Sequence, residues 1–183
     1  ACGQVSLMEN FMKAFIKRKI KVAQILLTFS DTEDRRKSLN SRETLKSLLK
    51  GGVVPIINEN DTVATDELKF GDNDRLASRV AQIIDADLLI LLSDVKGLYD
   101  DNPKTNKKAK LIPIVKNINS KSLDITSHQT NEFGSGGMRT KIEAAEIADS
   151  FGCNTIICQG NLKKPISNLK KYKIGTLFLS TNK

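Results

Sequence analysis

Two apolar rhythms alternate along this chain, one with helical spacing and one of short continuous runs, and together they predict a layered α/β fold. Residues 5–16 carry Leu7, Met8, Phe11, Ala14 and Phe15 at the i, i+3, i+4 spacing of an amphipathic helix. Residues 20–29 are rich in Ile, Val and Leu and read as a strand, and the polar residues 30–36 read as a loop. A helix is expected from Asn40, where Glu43 at the third position resembles a capping box. Its buried face would carry Leu45, Leu48 and Leu49, and Gly51-Gly52 would end it. Residues 53–57 give the next strand, in which Pro55, lacking an N–H, argues for an edge. Asp72 or Asn73 then caps a helix with Leu76, Ala77, Val80 and Ile83 or Ile84 inward. Residues 87–92 form a continuous apolar strand of the kind covered on both faces. A short strand is expected at 111–115, while 117–132 is polar and ambiguous. A helix follows Gly137, with Met138, Ile142, Ala145 and Ala148 or Asp149 in line and Gly152 closing it. Residues 155–158 and 175–179 are strands flanking a short helix at 165–169. This β-α alternation implies a mainly parallel sheet. With no repeat or linker visible, residues 1–183 read as one domain.

Polar clusters punctuate this pattern where an α/β protein binds ligands, outside the carboxyl ends of strands and at helix N-termini. Asn58-Glu59-Asn60-Asp61 ends one strand, and Gly71-Asp72-Asn73-Asp74 precedes the next helix. Such amides and carboxylates can hold the ammonium and carboxylate of an amino acid. Each cluster alone also suits a turn or an N-cap; the pair, flanking one short connection after a buried strand, points to a ligand. Ser93-Asp94 ends another strand, as a nucleotide contact or as the cap of the turn Val95-Lys96-Gly97-Leu98-Tyr99. In Gly134-Ser135-Gly136-Gly137-Met138-Arg139-Thr140-Lys141, glycines lead into a helix and Lys141 lies in its first turn. Backbone N–H groups, the helix dipole and the lysine suit a phosphate. The Gly-Lys-Ser/Thr ending of a P-loop is missing.

Composition removes several function classes. The chain has 183 residues, 39% hydrophobic and 27% charged, ordinary for a globular protein. No apolar run approaches the roughly 20 residues that span a bilayer, and no signal-peptide pattern is read at its start. Three unpaired-looking cysteines, Cys2, Cys153 and Cys158, suit a reducing cytosol, with Cys158 expected in the core. His128 is the only histidine and sits in a polar stretch, so histidine-based acyl transfer and His-rich metal sites are disfavoured. The net charge of +8 raises nucleic acid or an anionic substrate. The lysines, however, are scattered over loops at 104–110 and 163–173, aromatics are 5%, and no base-stacking motif is present. Phosphoryl transfer, which needs positioning and positive charge rather than covalent chemistry, fits this residue set.

Taken together, Ile-Asn-Glu-Asn-Asp at 57–61, Gly-Asp-Asn-Asp at 71–74, Leu-Leu-Ser-Asp-Val-Lys-Gly-Leu-Tyr at 91–99, the 134–141 loop and Gly-Thr-Leu-Phe at 175–178 resemble the glutamate 5-kinases, the proline-biosynthesis branch of the amino acid kinase superfamily. The resemblance runs in order over nearly the whole chain, with Ser-Asp replacing the more usual Thr-Asp at 93–94. It implies a three-layer αβα sandwich and ATP-dependent phosphorylation of the γ-carboxylate of L-glutamate, with Mg. By the same resemblance Asn58, Asp61 and Asn73 contact glutamate. Ser93, Asp94 and the loop Ser135, Gly136, Gly137, Met138, Arg139, Thr140 and Lys141 contact ATP. Asp74 is implied as the aspartate that organises catalytic lysines, and Lys141 as the lysine that stabilises the transferred phosphoryl group; no residue is assigned to a metal. A cytoplasmic homo-oligomer inhibited by proline is implied too, with neither membrane nor nucleic acid as partner. Acetylglutamate or aspartate as the substrate of a sibling kinase is the near alternative, disfavoured by Asn-Glu-Asn-Asp; a basic nucleic-acid-binding module is the distant one.

The family's N-terminal strand with its Lys-x-Gly phosphate clamp, the Ser-Gly-Ala loop after it and the C-terminal RNA-binding-like PUA domain have no counterpart in these residues. The chain starts at Ala1-Cys2-Gly3-Gln4 without Met and is expected to be a segment of a longer protein. Alone, it is expected to be inactive.

Overall fold

The computed structural model describes residues 2–63, 73–118, 137–172 and 175–182. The expectations for Gly71, Asp72, His128, Gly134, Ser135 and Gly136 therefore lie outside the described residues. The chain divides into two compact units, Ala1–Leu76 and Ala77–Lys183.

In the first unit, helix α1 (Cys2–Ile16) leads into strand β1 (Lys21–Leu27), then helices α2 (Phe29–Glu33) and α3 (Arg35–Lys50), and strand β2 (Val53–Glu59). The strands pair in parallel, Lys21 opposite Val53 through Leu27 opposite Glu59. Pro55 sits opposite Ala23 in this two-stranded sheet, where both strands are edges among the described residues. Residues 30–36 are not the expected loop. Thr28 and Asp31 make a capping box, Asp31 N–H donating to Thr28 Oγ1 at 3.3 Å and Thr28 N–H to Asp31 Oδ2 at 2.7 Å. Helix α3 starts at Arg35, five residues before Asn40, because Asp34 caps it through Lys37 N–H at 2.8 Å. Burial pushes the Asp31 carboxyl up, but the Thr28 hydrogen bonds and the Lys37 ammonium outweigh it and hold the group below its usual range. Leu45 is fully buried, whereas Leu49, expected beside it, is 47% exposed. Strand β2 also runs two residues further than its apolar stretch. Asn58 and Glu59 stay in the ladder opposite Leu26 and Leu27, since the backbone bonds regardless of side-chain polarity.

The second unit continues helix α4 (Asn73–Ile83) into strands β3 (Leu88–Ser93) and β4 (Ile114–Val115), helix α5 (Met138–Asp149), strand β5 (Asn154–Gln159), helix α6 (Pro165–Tyr172) and strand β6 (Thr176–Phe178). The sheet order is β3-β5-β6-β4, parallel except for β5 with β6. Its core joins Leu89, Leu91, Ile142, Ala145, Ile157 and Phe178. Leu88 and Leu92 are 45% and 48% exposed, so β3 is covered on one face among the described residues, not on both as its unbroken apolar run suggested. Gly152, at φ +87°, ends α5 as expected, its N–H donating to Asp149 O at 3.0 Å. Asp149 then ties down the segment after β6: its carboxylate accepts from Ser180 Oγ at 2.8 Å and Thr181 N–H at 2.7 Å, and its carbonyl from Asn182 Nδ2 at 3.1 Å. Cys153 and Cys158 are buried thiols, and burial pushes the Cys158 thiol up, away from the reactive thiolate. No helix among the described residues is long and apolar enough to cross a membrane.

Candidate active site

The residues proposed for the amino acid belong to the first unit together with the start of α4. Asn58 is the penultimate residue of β2, half-buried, and its Nδ2 donates to Gln4 Oε1 on α1 at 2.8 Å. The strand leaves through a turn: Asn60 N–H donates to Leu27 O at 2.9 Å, and Asn60 Oδ1 accepts from Thr62 N–H at 3.3 Å. Asp61 is exposed at the tip of that turn. Thus Asn60 serves the turn chemistry that both clusters were weighed against, while Asn58 and Asp61 keep their side chains out of it. Asn73 and Asp74 open α4, Asn73 exposed and Asp74 half-buried.

The residues proposed for the nucleotide belong to the second unit. Ser93 closes β3, and its Oγ donates to Asp94 Oδ1 at 3.0 Å, while Ser93 O accepts Gly160 N–H at 2.7 Å. The turn that follows is fastened to β6. Gly97, at φ +153°, packs so close to Thr176 that a Cβ would fall 2.6 Å from Thr176 Oγ1. That buried hydroxyl accepts Leu98 N–H at 2.8 Å and donates to Ile112 O at 2.7 Å. Here the glycine is required both by its backbone angle and by the close approach.

Helix α5 has Gly137 as its N-cap, which makes no side-chain cap bond, and among the described residues a Cβ at Gly137 would meet nothing within 4 Å. The first backbone N–H groups of a helix can hold an anion. Met138 is buried, and Thr140 Oγ1 donates back to Gly137 O at 3.0 Å. Arg139 pairs with Glu143 at 3.0 Å along the helix surface, and Lys141 is half-buried in the first turn. Burial and then the Glu143 carboxylate push the Glu146 carboxyl up. A cleft of ≈ 60 Å³ brings Met138 together with Val95, Gly97, Tyr99, Asn102 and Lys104. The turn after β3 and the start of α5 therefore meet there; of the residues proposed for ATP, Met138 lines this cleft and Ser93, Asp94 and Lys141 do not. Asn102 and Lys104 gave no sign of this in the sequence, lying in a polar loop otherwise rich in lysine.

Comparison with family models matches residues 1–159 to the amino acid kinase family. The chain belongs to this family. Among its relatives, a glutamate 5-kinase of Pelagibacter ubique is 52% identical over 177 residues, covering 97% of this chain and 48% of that protein. A glutamate 5-kinase of Bradyrhizobium diazoefficiens is 46% identical over 180 residues, covering 98% of the chain and 48% of its own length. The chain thus spans about half the length of the curated relatives it matches. Among solved structures, isopentenyl phosphate kinase of T. acidophilum aligns with a TM-score of 0.62 at 20% identity, over 93% of this chain and 67% of that one. UMP kinase of Ureaplasma parvum aligns at 0.61 and 16%, over 91% and 63%. At such identities these two neighbours establish the fold alone, and they bear out the α/β class with its mainly parallel strands.

Proposed function

We propose that this chain forms part of the kinase domain of a glutamate 5-kinase, which transfers the γ-phosphoryl group of ATP to the γ-carboxylate of L-glutamate and releases ADP and glutamyl 5-phosphate, the first step of proline biosynthesis. The observation that carries this reading is the 46–52% identity to proteins named glutamate 5-kinase over 97–98% of the chain. Asn58, Asp61 and Asn73 hold glutamate through its ammonium and carboxylates. Ser93, Asp94 and the loop from Ser135 to Lys141 hold ATP, with the first N–H groups of α5 directed to phosphate oxygens. Lys141 places positive charge on the moving phosphoryl group, and Asp74 orients the cationic groups around it. Magnesium, to which no residue of this chain is assigned, would supply further charge neutralisation when bound. Every other step is positioning, which is what phosphoryl transfer asks of a protein. In the cell, the reading places the enzyme in the cytoplasm as a homo-oligomer inhibited by proline, without a membrane or nucleic-acid partner.

The test is glutamate- and ATP-dependent formation of an acyl phosphate by the full-length protein, trapped as the hydroxamate. No hydroxamate with glutamate, or more with N-acetylglutamate or aspartate, overturns the substrate assignment. Asp61→Ala and Asn73→Ala are each expected to raise the KM for glutamate about tenfold while that for ATP stays within about twofold, since each removes one polar contact to the amino acid. A rise in the ATP constant instead means that the two sets of residues have been assigned the wrong way round. Residues 1–183 alone are expected to give no measurable hydroxamate, because of the two cations among the proposed site residues Arg139 is paired with Glu143, leaving Lys141 to bring positive charge to the phosphoryl group. Turnover comparable to the full-length protein would show that one lysine suffices.

A further inference from the structure

We infer that Gln4 is a binding residue for the amino acid substrate, donating its Nε2 to a substrate carboxylate while its Oε1 holds Asn58 in place. The inference rests on the kinase reading above and adds a residue to its amino-acid site. Gln4 lies in the first turn of α1, far from β2 in sequence, yet its Oε1 accepts from Asn58 Nδ2 at 2.8 Å. Its own Nε2 is buried and has no hydrogen-bond partner among the described residues. Buried amide donors are rarely left unmet, because removing such a group from water is costly without a replacement bond. An unmet donor at the carboxyl end of a strand, touching a residue proposed for ligand binding, is what an arriving carboxylate oxygen would satisfy.

The two amides divide the work chemically. A carboxamide offers one acceptor oxygen and one donor nitrogen. Asn58 directs its nitrogen to Gln4, which leaves Oδ1 as an acceptor suited to the substrate ammonium. Gln4 directs its oxygen to Asn58, which leaves Nε2 as a donor suited to a carboxylate. The pair thus presents opposite hydrogen-bonding senses side by side, as an α-amino acid requires. Gln4 also fixes the Asn58 rotamer before the ligand arrives, so less order has to be imposed on binding.

The experiment uses the full-length protein, with Gln4→Met and Gln4→Glu. Methionine keeps the length of the side chain and removes both polar atoms; glutamate keeps an acceptor for Asn58 and replaces the donor by a negative charge. Gln4→Met is expected to raise the KM for glutamate about tenfold to a hundredfold, the loss of one hydrogen bond to a charged group, with the KM for ATP unchanged. Its melting temperature without ligand is expected to change little, since the unmet buried Nε2 goes while Asn58 Nδ2 loses its acceptor, and the rise produced by glutamate is expected to shrink. Gln4→Glu is expected to bind glutamate more weakly than Gln4→Met. An unchanged glutamate KM in both variants overturns the inference, as does a parallel rise in both KM values with a lower ligand-free melting temperature, which marks a merely structural residue. If the unaltered protein neither phosphorylates glutamate nor is stabilised by it, the kinase reading itself fails and this inference falls with it.

Discussion

Lys141→Ala in the full-length protein is expected to lower turnover about a hundredfold, roughly 3 kcal/mol in the barrier, with little change in the KM for glutamate. The reason is where the charge acts. Lys141 stands in the first turn of a 12-residue helix whose N-cap is Gly137, a residue with no side chain to cap it. Under the proposed reading, backbone donors and dipole there would hold a phosphate in the ground state and in the transition state alike. The added ammonium matters most as charge redistributes over the oxygens of the transferring group, so its loss appears in kcat rather than in substrate binding. Arg139, two residues away, does not replace it, being paired with Glu143 on the helix surface. Hydroxamate kinetics read the effect, and a thermal melt controls for folding, because the adjacent Ile142 is fully buried. Near-normal turnover in this variant would remove Lys141 from the catalytic role.

Gly175→Ala is expected to have the largest effect on stability, about 3–4 kcal/mol, from left-handed strain together with overpacking. Gly175 holds φ +98°, and a Cβ there would fall 2.5 Å from Ile157 O and 2.8 Å from Cys158 Cβ. Both neighbours belong to the ordered ladder of β5, so neither yields cheaply. For a chain of this size the melting temperature should drop by about 10 °C. The KM for ATP should rise as well, because Thr176, the next residue, anchors Leu98 N–H and the turn that lines the Met138 cleft. A melting temperature within about 2 °C of the unaltered protein would mean that the backbone at Gly175 relaxes freely.

What could be read from the chain beforehand follows a physical divide. Gly51-Gly52 and Gly152 were legible as helix ends because local chemistry alone decides a C-cap. The start of α3 was not. Asn40 with Glu43 and Asp34 with Lys37 N–H are both sound caps by type, and the choice depends on how β1 hands the chain to the helices, through the Thr28–Asp31 box. Burial on Leu49, Leu88 and Leu92 was overestimated because periodicity reports which face is apolar, not what lies against it. At the site, Asn58, Asp61, Asn73, Ser93 and Lys141 stood out because polar residues interrupt apolar runs at strand and helix ends. Gln4 did not, since one amide in an amphipathic helix carries no pattern; only the fold reveals that it meets Asn58.

The Asp149 clamp has a practical consequence for handling this protein. It secures Ser180, Thr181 and Asn182 at the C-terminal end of α5, whereas the proposed phosphate site is at the other end of the same helix. Twelve residues of helix separate these points by about 18 Å. A dye attached through Asn182→Cys would give up the Nδ2 bond but keep the backbone N–H bond to Ser180 Oγ at 3.3 Å, and it would sit far enough away not to obstruct ATP.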